Sequence, residues 1–519
     1  MIYIIGSGLS GMAAAMALVR RGCRPTILDA GLNPEPDARM LKARLAAAEP
    51  EDWRAEDVAL LKRTGPPAAN GIPQKLHFGS AFSYQDVDRA TSLESQRASM
   101  YRSFAFGGFS NVWGAVIRPL SDKEFERWPI ASAELAPHYA AVRGLLSGSS
   151  AAHASVARIR PSSQARELYR DLAAHRQELE RQGIRFNYAD LAVLATDQDG
   201  QKGCRYCGLC LYGCPYDSIY AASSTLSRFI RDGRVGYMPG LIVDKLSPAN
   251  GRVRIEARSV SDGDSKTFEG SLVLVAAGLL ESARIVLNSL GLYDAPLRLR
   301  HSDIFTLPIL RYRPAGGIAQ EKLHTLCQIV VEIEDDAICP HPVHLQLYGY
   351  NDLYMRVLAR KAGWFATPLA PALRAVTARL FVAFGYLHSA VSSSVKVTLS
   401  GKESAKLHLE GQPNPEARRI GHAVARRLFQ THSHFQAIPV PLFLRFDLPG
   451  GGYHTGGSFP MSRAPGKLET DRWGRLSSLP GVHLVDASVL PSVPASTLAF
   501  TVMANAHRIA SECPIAHVP

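Results

Sequence analysis

Residues 1–31 read MIYIIGSGLSGMAAAMALVRRGCRPTILDAG, and the order of apolar, small and acidic residues there decides the fold. Residues 2–5 (IYII) are a short, fully apolar run suited to a buried parallel strand. GSGLSG follows, then a run that reads as a helix, then PTILDAG, a second strand ending at Asp29. Strand, glycine turn, helix, strand, acid is the dinucleotide-binding arrangement. Gly6 allows the tight turn, Gly8 lets a pyrophosphate approach the backbone, and Gly11 lets helix and strand pack closely. The helix N-terminus offers free N–H groups to the phosphates. Asp29 lies near the spacing of about 20 residues expected for a carboxylate on the adenosine ribose.

NAD and FAD both fit this fingerprint, and the far end of the chain bears on the choice. Residues 481–510 read GVHLVDASVLPSVPASTLAFTVMANAHRIA: a strand (VHLVD), a turn at Ala487–Ser488, a proline-rich loop and a helix from about Thr497. A strand ending in Asp before a helix start can present a second positive helix terminus to a cofactor. One nucleotide domain is therefore expected to be assembled from both chain ends.

The 519 residues exceed one ordinary core and imply two or three domains, interleaved by the argument above. Hydrophobic residues make up 46% and charged ones 20%, a globular balance. The formal charge of +12 is spread along the chain, with no basic block interleaved with aromatics, which argues against nucleic acid. An acidic redox partner or an anionic surface fits it as well. The opening residues show no basic n-region or cleavage site, and no run of 18 apolar residues occurs. The nearest candidate, 364–390, is broken by Pro368, Pro371, Arg374 and Arg379. A cytoplasmic protein is expected, with membrane association at most peripheral. The stretch 353–388 alternates aromatics with Arg356, Arg360, Lys361, Arg374 and Arg379. It reads as a solvated helix face; the sharper alternative is docking to a membrane or a redox partner.

Residues 203–217, GCRYCGLCLYGCPYD, hold Cys204, Cys207, Cys210 and Cys214, half of the chain's eight cysteines. C-x2-C-x2-C-x3-C-P is a bacterial ferredoxin spacing. Gly208 and Gly213 relieve crowding where the backbone must curl. No second run exists, so either Cys214 closes the same [4Fe-4S] cluster or the cluster is [3Fe-4S]. Zinc on four thiolates, two disulfides and a metal-free knuckle are the rival readings.

Five stretches together resemble the glucose–methanol–choline (GMC) oxidoreductases: GSGLSG, GGFSNVWGA (107–115), LVAAGLLESARIVLNS (274–289), YHTGGSFPM (453–461) and VDASVLP (485–491). They occur in that family's order and span most of the chain, with a weak match near 320–400. The resemblance implies an α/β fold: a Rossmann-like FAD-binding domain of the GMC type with an interleaved α+β substrate-binding domain. It implies that Gly6, Gly8, Gly11 and Asp29 hold the ADP half of FAD. Gly107, Gly108, Ser110 and Asn111 would line the pyrophosphate and ring edge, and Val243 would meet the adenine through its backbone. Ala277 and Gly278 would lie beneath the nucleotide, Asp486 and Ala487 near the ribityl and pyrophosphate, and Thr501 at a helix terminus aimed at the flavin pyrimidine. Some relatives attach FAD covalently through a His in the second motif. The matching position is Val112, so noncovalent FAD is expected.

The same resemblance makes His454 the base that takes the proton when an alcohol or sugar hydroxyl gives its hydride to the flavin. The family's second polar partner, Asn or His, falls at Thr497 here, a poor base. Asn505, His507, Asn111 and His388 are the other candidates. Relatives with a similar cysteine segment pass electrons from flavin through a cluster to an acceptor protein or quinone, which favours a dehydrogenase. The alternatives are an O2-using alcohol oxidase with a structural or metal-free knuckle, and a flavoprotein kept for binding. The expected FAD-binding domain comprises 1–31, 72–130, 200–300 and 445–519. The expected substrate-binding domain comprises 131–199 and 301–444, with 32–71 a helical excursion or lid.

Overall fold

The computed structural model describes residues 1–66, 73–87, 93–146, 158–401 and 406–515. The short remainders of the expected domain spans (67–72, 88–92, 147–157, 402–405 and 516–519) lie outside the described residues.

Ile2–Ile5 is the central strand of a parallel five-stranded sheet in the order Val482–Leu484, Leu272–Val275, Ile2–Ile5, Thr26–Leu28, Gly236–Met238. Ile4 sits opposite both Ile27 and Leu274. Helices cover such a sheet, which is why these strands are short and almost wholly apolar. Helix Leu9–Arg20 packs along helix Ala499–Glu512, so the two ends of the chain share one layer. The latter begins two residues beyond the expected Thr497, because Leu498 is its N-cap. Gly6 has φ +97°, and a Cβ on Gly11 would stand 2.1 Å from the Gly6 carbonyl oxygen. Both glycines therefore do what the fingerprint asks of them.

The second body is a largely antiparallel seven-stranded sheet. Its main path runs Ala437–Pro439, Ile304–Arg311, Leu380–Tyr386, Cys339–Tyr348, Ile329–Asp335, Ile184–Tyr188. Alternation divides its faces. Phe305, Val331, Leu345 and Phe381 form one core with Leu168, Leu172, Ile420 and Val424 of helices Ser163–Ala174 and Pro415–Gln430. Gln346, Tyr348, Phe384 and Tyr386 point the other way, into a cavity. Asn414 caps the second of these helices through its side chain, with Pro415 at the first helical position. The helical stretch that supplies Leu168 and Leu172 is interrupted at His175, between Ser163–Ala174 and Arg176–Arg181. Helices Pro36–Ala47 and Ala55–Leu61 of the expected excursion pack on Leu209 and Tyr212 of the cysteine loop.

Gly11→Ala tests the close approach. Its methyl would meet fixed backbone, so it should cost about 1–3 kcal/mol, read as a lower denaturant midpoint. Gly316→Ala adds a methyl that meets nothing within 4 Å and should stay within about 0.5 kcal/mol of the parent.

Candidate active site

One cavity of about 590 Å³ runs from the Gly6–Gly8 turn to the inner face of the seven-stranded sheet. At the nucleotide end, helix Leu9–Arg20 starts at Gly8 with no side-chain cap. A Cβ on Gly8 would meet nothing within 4 Å, so the helix's first N–H groups look into open space. Ser7 Oγ accepts from Gly107 N (2.9 Å) and donates to Asp29 Oδ2 (2.5 Å), while Tyr237 Oη donates to the same oxygen (3.0 Å). Burial pushes the Asp29 carboxyl up to about 7 against these two hydroxyls. Behind it lies a chain of charges, Asp86–Arg102–Glu281–Arg284–Asp244, with contacts of 2.6–2.8 Å.

Of the residues singled out in the sequence, Gly6, Gly8, Asp29, Gly108, Ser110, Val243, Ala277, Gly278, His454 and Thr497 line this cavity, as does Val112. The others stand one layer behind. Gly11 packs on Gly6 and Gly107 on Ser223. Asn111 Nδ2 donates to the Phe106 and Gly108 carbonyls, holding the 107–111 turn. Asp486 accepts from Gly278 N (2.9 Å), Ser282 Oγ (2.5 Å) and Ser488 N (3.0 Å), and so caps helix Leu279–Ser289. The Ala487 carbonyl accepts from Gly457 N. Thr501 Oγ1 bonds Tyr139 Oη at 2.7 Å. The Val243 carbonyl accepts from Arg284 Nη2 at 2.6 Å, which leaves less of its backbone free than the sequence suggests.

At the other end, Gly450, Gly451 and Gly452 lead into Tyr453, whose φ of +57° is left-handed. That turn sets the direction of His454, whose ring stacks on Tyr386 at 4.5 Å. His454 Nδ1 and Thr497 Oγ1 have no hydrogen-bond partner among the described residues. Burial depresses the His454 imidazole to about 3; its residual exposure is to the cavity it lines. Of the alternatives for the second partner, Asn505 bonds Arg508, His507 lies against Arg20 and His138, and His388 stacks on His341. None of these three lines the cavity, and Asn111 is committed to its turn.

Sequence reasoning missed three parts of this site. Tyr84, Tyr101, Phe109 and Tyr453 form a ring cluster at the cavity wall with centroids 5.6–5.9 Å apart. Arg102, whose neighbours in sequence carry no signal, anchors the charge chain. Tyr386 and Tyr348 could have been found only from strand alternation together with knowledge of which face is covered.

The four thiols Cys204, Cys207, Cys210 and Cys214 line a separate small cavity of about 20 Å³ with Tyr216, His324 and Leu326. Leu326 also lines the large cavity. Gly208 and Gly213 have φ +73° and +123°, as the curled backbone requires. All eight cysteines are free, which removes the disulfide reading from this structure. Burial pushes the Cys204 thiol up to about 12 and raises Cys207 and Cys210 as well. Among the described residues, no group of three or more His, Cys, Asp or Glu side chains is arranged to hold a metal ion. The expectation of an iron–sulfur or zinc centre is thus not met by the arrangement seen. The spacing sets only how close the thiols lie along the chain. Their aim depends on the loop's contacts, such as Gly208 N with the Leu323 carbonyl.

Residues 416–506 match the family model described as GMC oxidoreductase, and residues 4–34 match that of the NAD(P)-binding Rossmann-like domain. No curated protein matches the chain significantly. Among solved structures, the chain resembles pyridoxine 4-oxidase from Mesorbium loti, with TM-score 0.59 and 16% identity over 99% of this chain and 98% of that one. The fold is therefore the mixed α/β, Rossmann-containing architecture of that oxidoreductase, as the sequence predicts.

The buried His454 makes a pH prediction. The unfolded chain takes up its proton near 6.5 and the folded chain only near 3. Acid therefore favours unfolding, and this part of the stability is intact above pH 6.5 and falls away as pH drops toward 3. His454→Gln should lose less stability than the parent on acidification through that window, read by circular dichroism in denaturant series. His77, His324 and His507 are depressed by burial too, so the acid sensitivity should shrink without vanishing.

Proposed function

We propose that the protein is an FAD-dependent oxidoreductase that oxidises an alcohol CH–OH group to a carbonyl. The observation that carries this is one continuous cavity with an open helix N-terminus and a buried acid at one end. At its other end stand two unpartnered polar atoms, His454 Nδ1 and Thr497 Oγ1. The GMC match over 416–506 includes His454 and Thr497 and supports the same reading.

The residues present fit the cofactor. The N–H groups after Gly8 suit a pyrophosphate, and Asp29, now held by Ser7 and Tyr237, suits a ribose diol. The flavin supplies the hydride acceptor. His454 is neutral at pH 7 and accepts the substrate's hydroxyl proton on a ring nitrogen. Burial makes it a weak base, and it gains strength as negative charge develops on the adjacent oxygen. Thr497 Oγ1 bonds that oxygen and orients it. His454 is the cavity's single histidine and no cysteine lines it among the described residues, which supports noncovalent attachment. The substrate end is mostly apolar, with Ile304, Leu326, Tyr348, Phe384 and Tyr386 around Gln346. A sugar needs a polar partner for each hydroxyl, so an alcohol with an apolar body suits this end better.

The purified protein should carry flavin that acid releases into the supernatant. An aromatic primary alcohol should bleach its absorbance faster than glucose does. His454→Ala should keep the flavin and slow its reduction by about 10²–10⁴-fold. Wild-type reduction by that variant would remove His454 from the chemistry. Colour held in the precipitate would mean a covalent link.

A second reading concerns where the electrons go. The four thiols share one cavity, and Leu326 walls both it and the large one. The ferredoxin-like spacing of the four thiols, not their arrangement in this structure, is what favours iron uptake and an electron outlet over direct reduction of O2. Iron and sulfide assay of anaerobically purified protein, with stopped-flow on Cys210→Ser, separates the two. An outlet requires iron in the parent, and in the variant normal flavin reduction with lost transfer to a one-electron acceptor. Iron-free protein whose Cys210→Ser form reoxidises normally in O2 selects the oxidase.

A further inference from the structure

Helices Asp352–Ala362 and Ala370–Thr377, joined by a 3-10 turn at Gly363–Ala366, form a hairpin whose arms pack principally against each other. Its tip exposes large apolar side chains: Trp364 is 85% exposed, Phe365 50% and Leu369 45%. The two rings lie 4.3 Å apart, centroid to centroid. Arg360, Lys361 and Arg374 are exposed beside them and form no ion pair among the described residues. No acidic residue occurs between 353 and 400. At the base, Asp352 is bound to Lys62 at 2.7 Å and to Tyr212 at 3.0 Å, and Arg356 donates to the Lys62 carbonyl. The hairpin is thus tied to the body at one end and free at the other.

We infer that this hairpin seats the protein on an anionic phospholipid surface. The tip presents two adjacent exposed rings with exposed cations in the same hairpin, and a fluid bilayer adapts to such a wedge. An aromatic pair flanked by cations matches the interface of an anionic leaflet. There Trp lies at the headgroup level and Lys and Arg extend to the phosphates. The absence of acids over 353–400 removes the repulsion that such a leaflet would otherwise exert. No helix among the described residues is long and apolar enough to cross a membrane, so the hairpin lies in the interface and does not span it. Leu353 and Tyr354, in the first turn of the hairpin, line the large cavity. The 11 residues of that helix put the tip about 16 Å away. Docking would therefore hold the cavity about one helix length from the lipid. The inference stands on exposure and charge alone and does not require the oxidoreductase reading.

Co-sedimentation of the full chain with phosphatidylcholine vesicles, with and without phosphatidylglycerol, tests it. The chain should sediment with the anionic vesicles at low salt and be released as salt rises. The triple variant R360E/K361E/R374E should bind on the order of 100-fold more weakly, and W364E/F365E should lose insertion, each with unchanged circular dichroism. The emission difference between wild type and Trp364→Phe should shift to the blue on adding anionic vesicles. A chain that ignores both vesicle types leaves the hairpin to a protein partner and overturns the inference. So does one whose variants bind as the parent does, or whose Trp364 emission stays unmoved.

Discussion

A single row of backbone hydrogen bonds at the ends of four strands holds the site together. Gly6 N donates to the Leu28 carbonyl, Ala276 N to that of Ile5, and Val485 N to that of Val275, all at 2.9 Å. These residues come from four distant parts of the chain, and the row marks the carboxyl edge of the parallel sheet, where ligands bind in open α/β folds. The glycine turn cannot take its shape without it. A Cβ on Gly6 would stand 2.5 Å from the Ala276 carbonyl oxygen, so the strand from residue 272 is pressed against the turn. Closing loops of this length is slow and entropically costly. The cavity therefore depends on contacts between distant parts of the chain and is not a property of the N-terminal motif alone.

The same edge concentrates charge in a place with little water. Arg284 is wholly buried and touches Glu281, Asp244 and the Val243 carbonyl, while Arg102 reaches Glu281 from another loop. Such a network adds little net stability, but removing one member strands the others. Its effect is positional: it ties the 97–107 loop to helix Leu279–Ser289 and to the strand from Leu241. The walls of the nucleotide end are thereby fixed relative to the Gly6–Gly8 turn. Asp29 differs. Its carboxyl faces no cation, and burial holds it high against hydrogen bonds from Ser7 and Tyr237.

What the sequence discloses and what it withholds divide along one physical line. The places of Gly6, Gly11, Asp29 and His454 in the fold, and the Asn414 cap, are legible because each follows from neighbours close in sequence or from a motif with one geometric solution. Thr501 and Asp486 stand in equally recognisable motifs. Their side chains are nevertheless taken by Tyr139 and by the start of helix Leu279–Ser289, partners no local pattern reveals. The cysteines are the sharpest case. Their spacing is local and reads clearly, yet the direction of each sulfur depends on strand and loop contacts from residues 194 and 323. Tyr84, Tyr101 and Tyr386 were illegible for the same reason: an aromatic in a strand or loop looks alike whether it faces a core or a cavity.

Two features that have no contact in sequence point to one kind of chemistry. The inner end of the cavity is walled by Ile304, Phe384 and Tyr386, and the hairpin that starts at its wall ends in exposed Trp364 and Phe365. Under the proposed reading, a freely soluble polar substrate would gain nothing from either. Exposed aromatics cost solubility, and an apolar site discriminates against a polyol. For a molecule that partitions into lipid, the bilayer raises its local concentration, and a cavity held near the interface meets it there. The apolar lining then replaces the lipid environment the molecule leaves, so little of the transfer free energy is lost on entry. Among the described residues that line the cavity, His454 Nδ1 and Thr497 Oγ1 are the buried polar atoms without a partner, and under the proposed reading the reacting hydroxyl would meet them there.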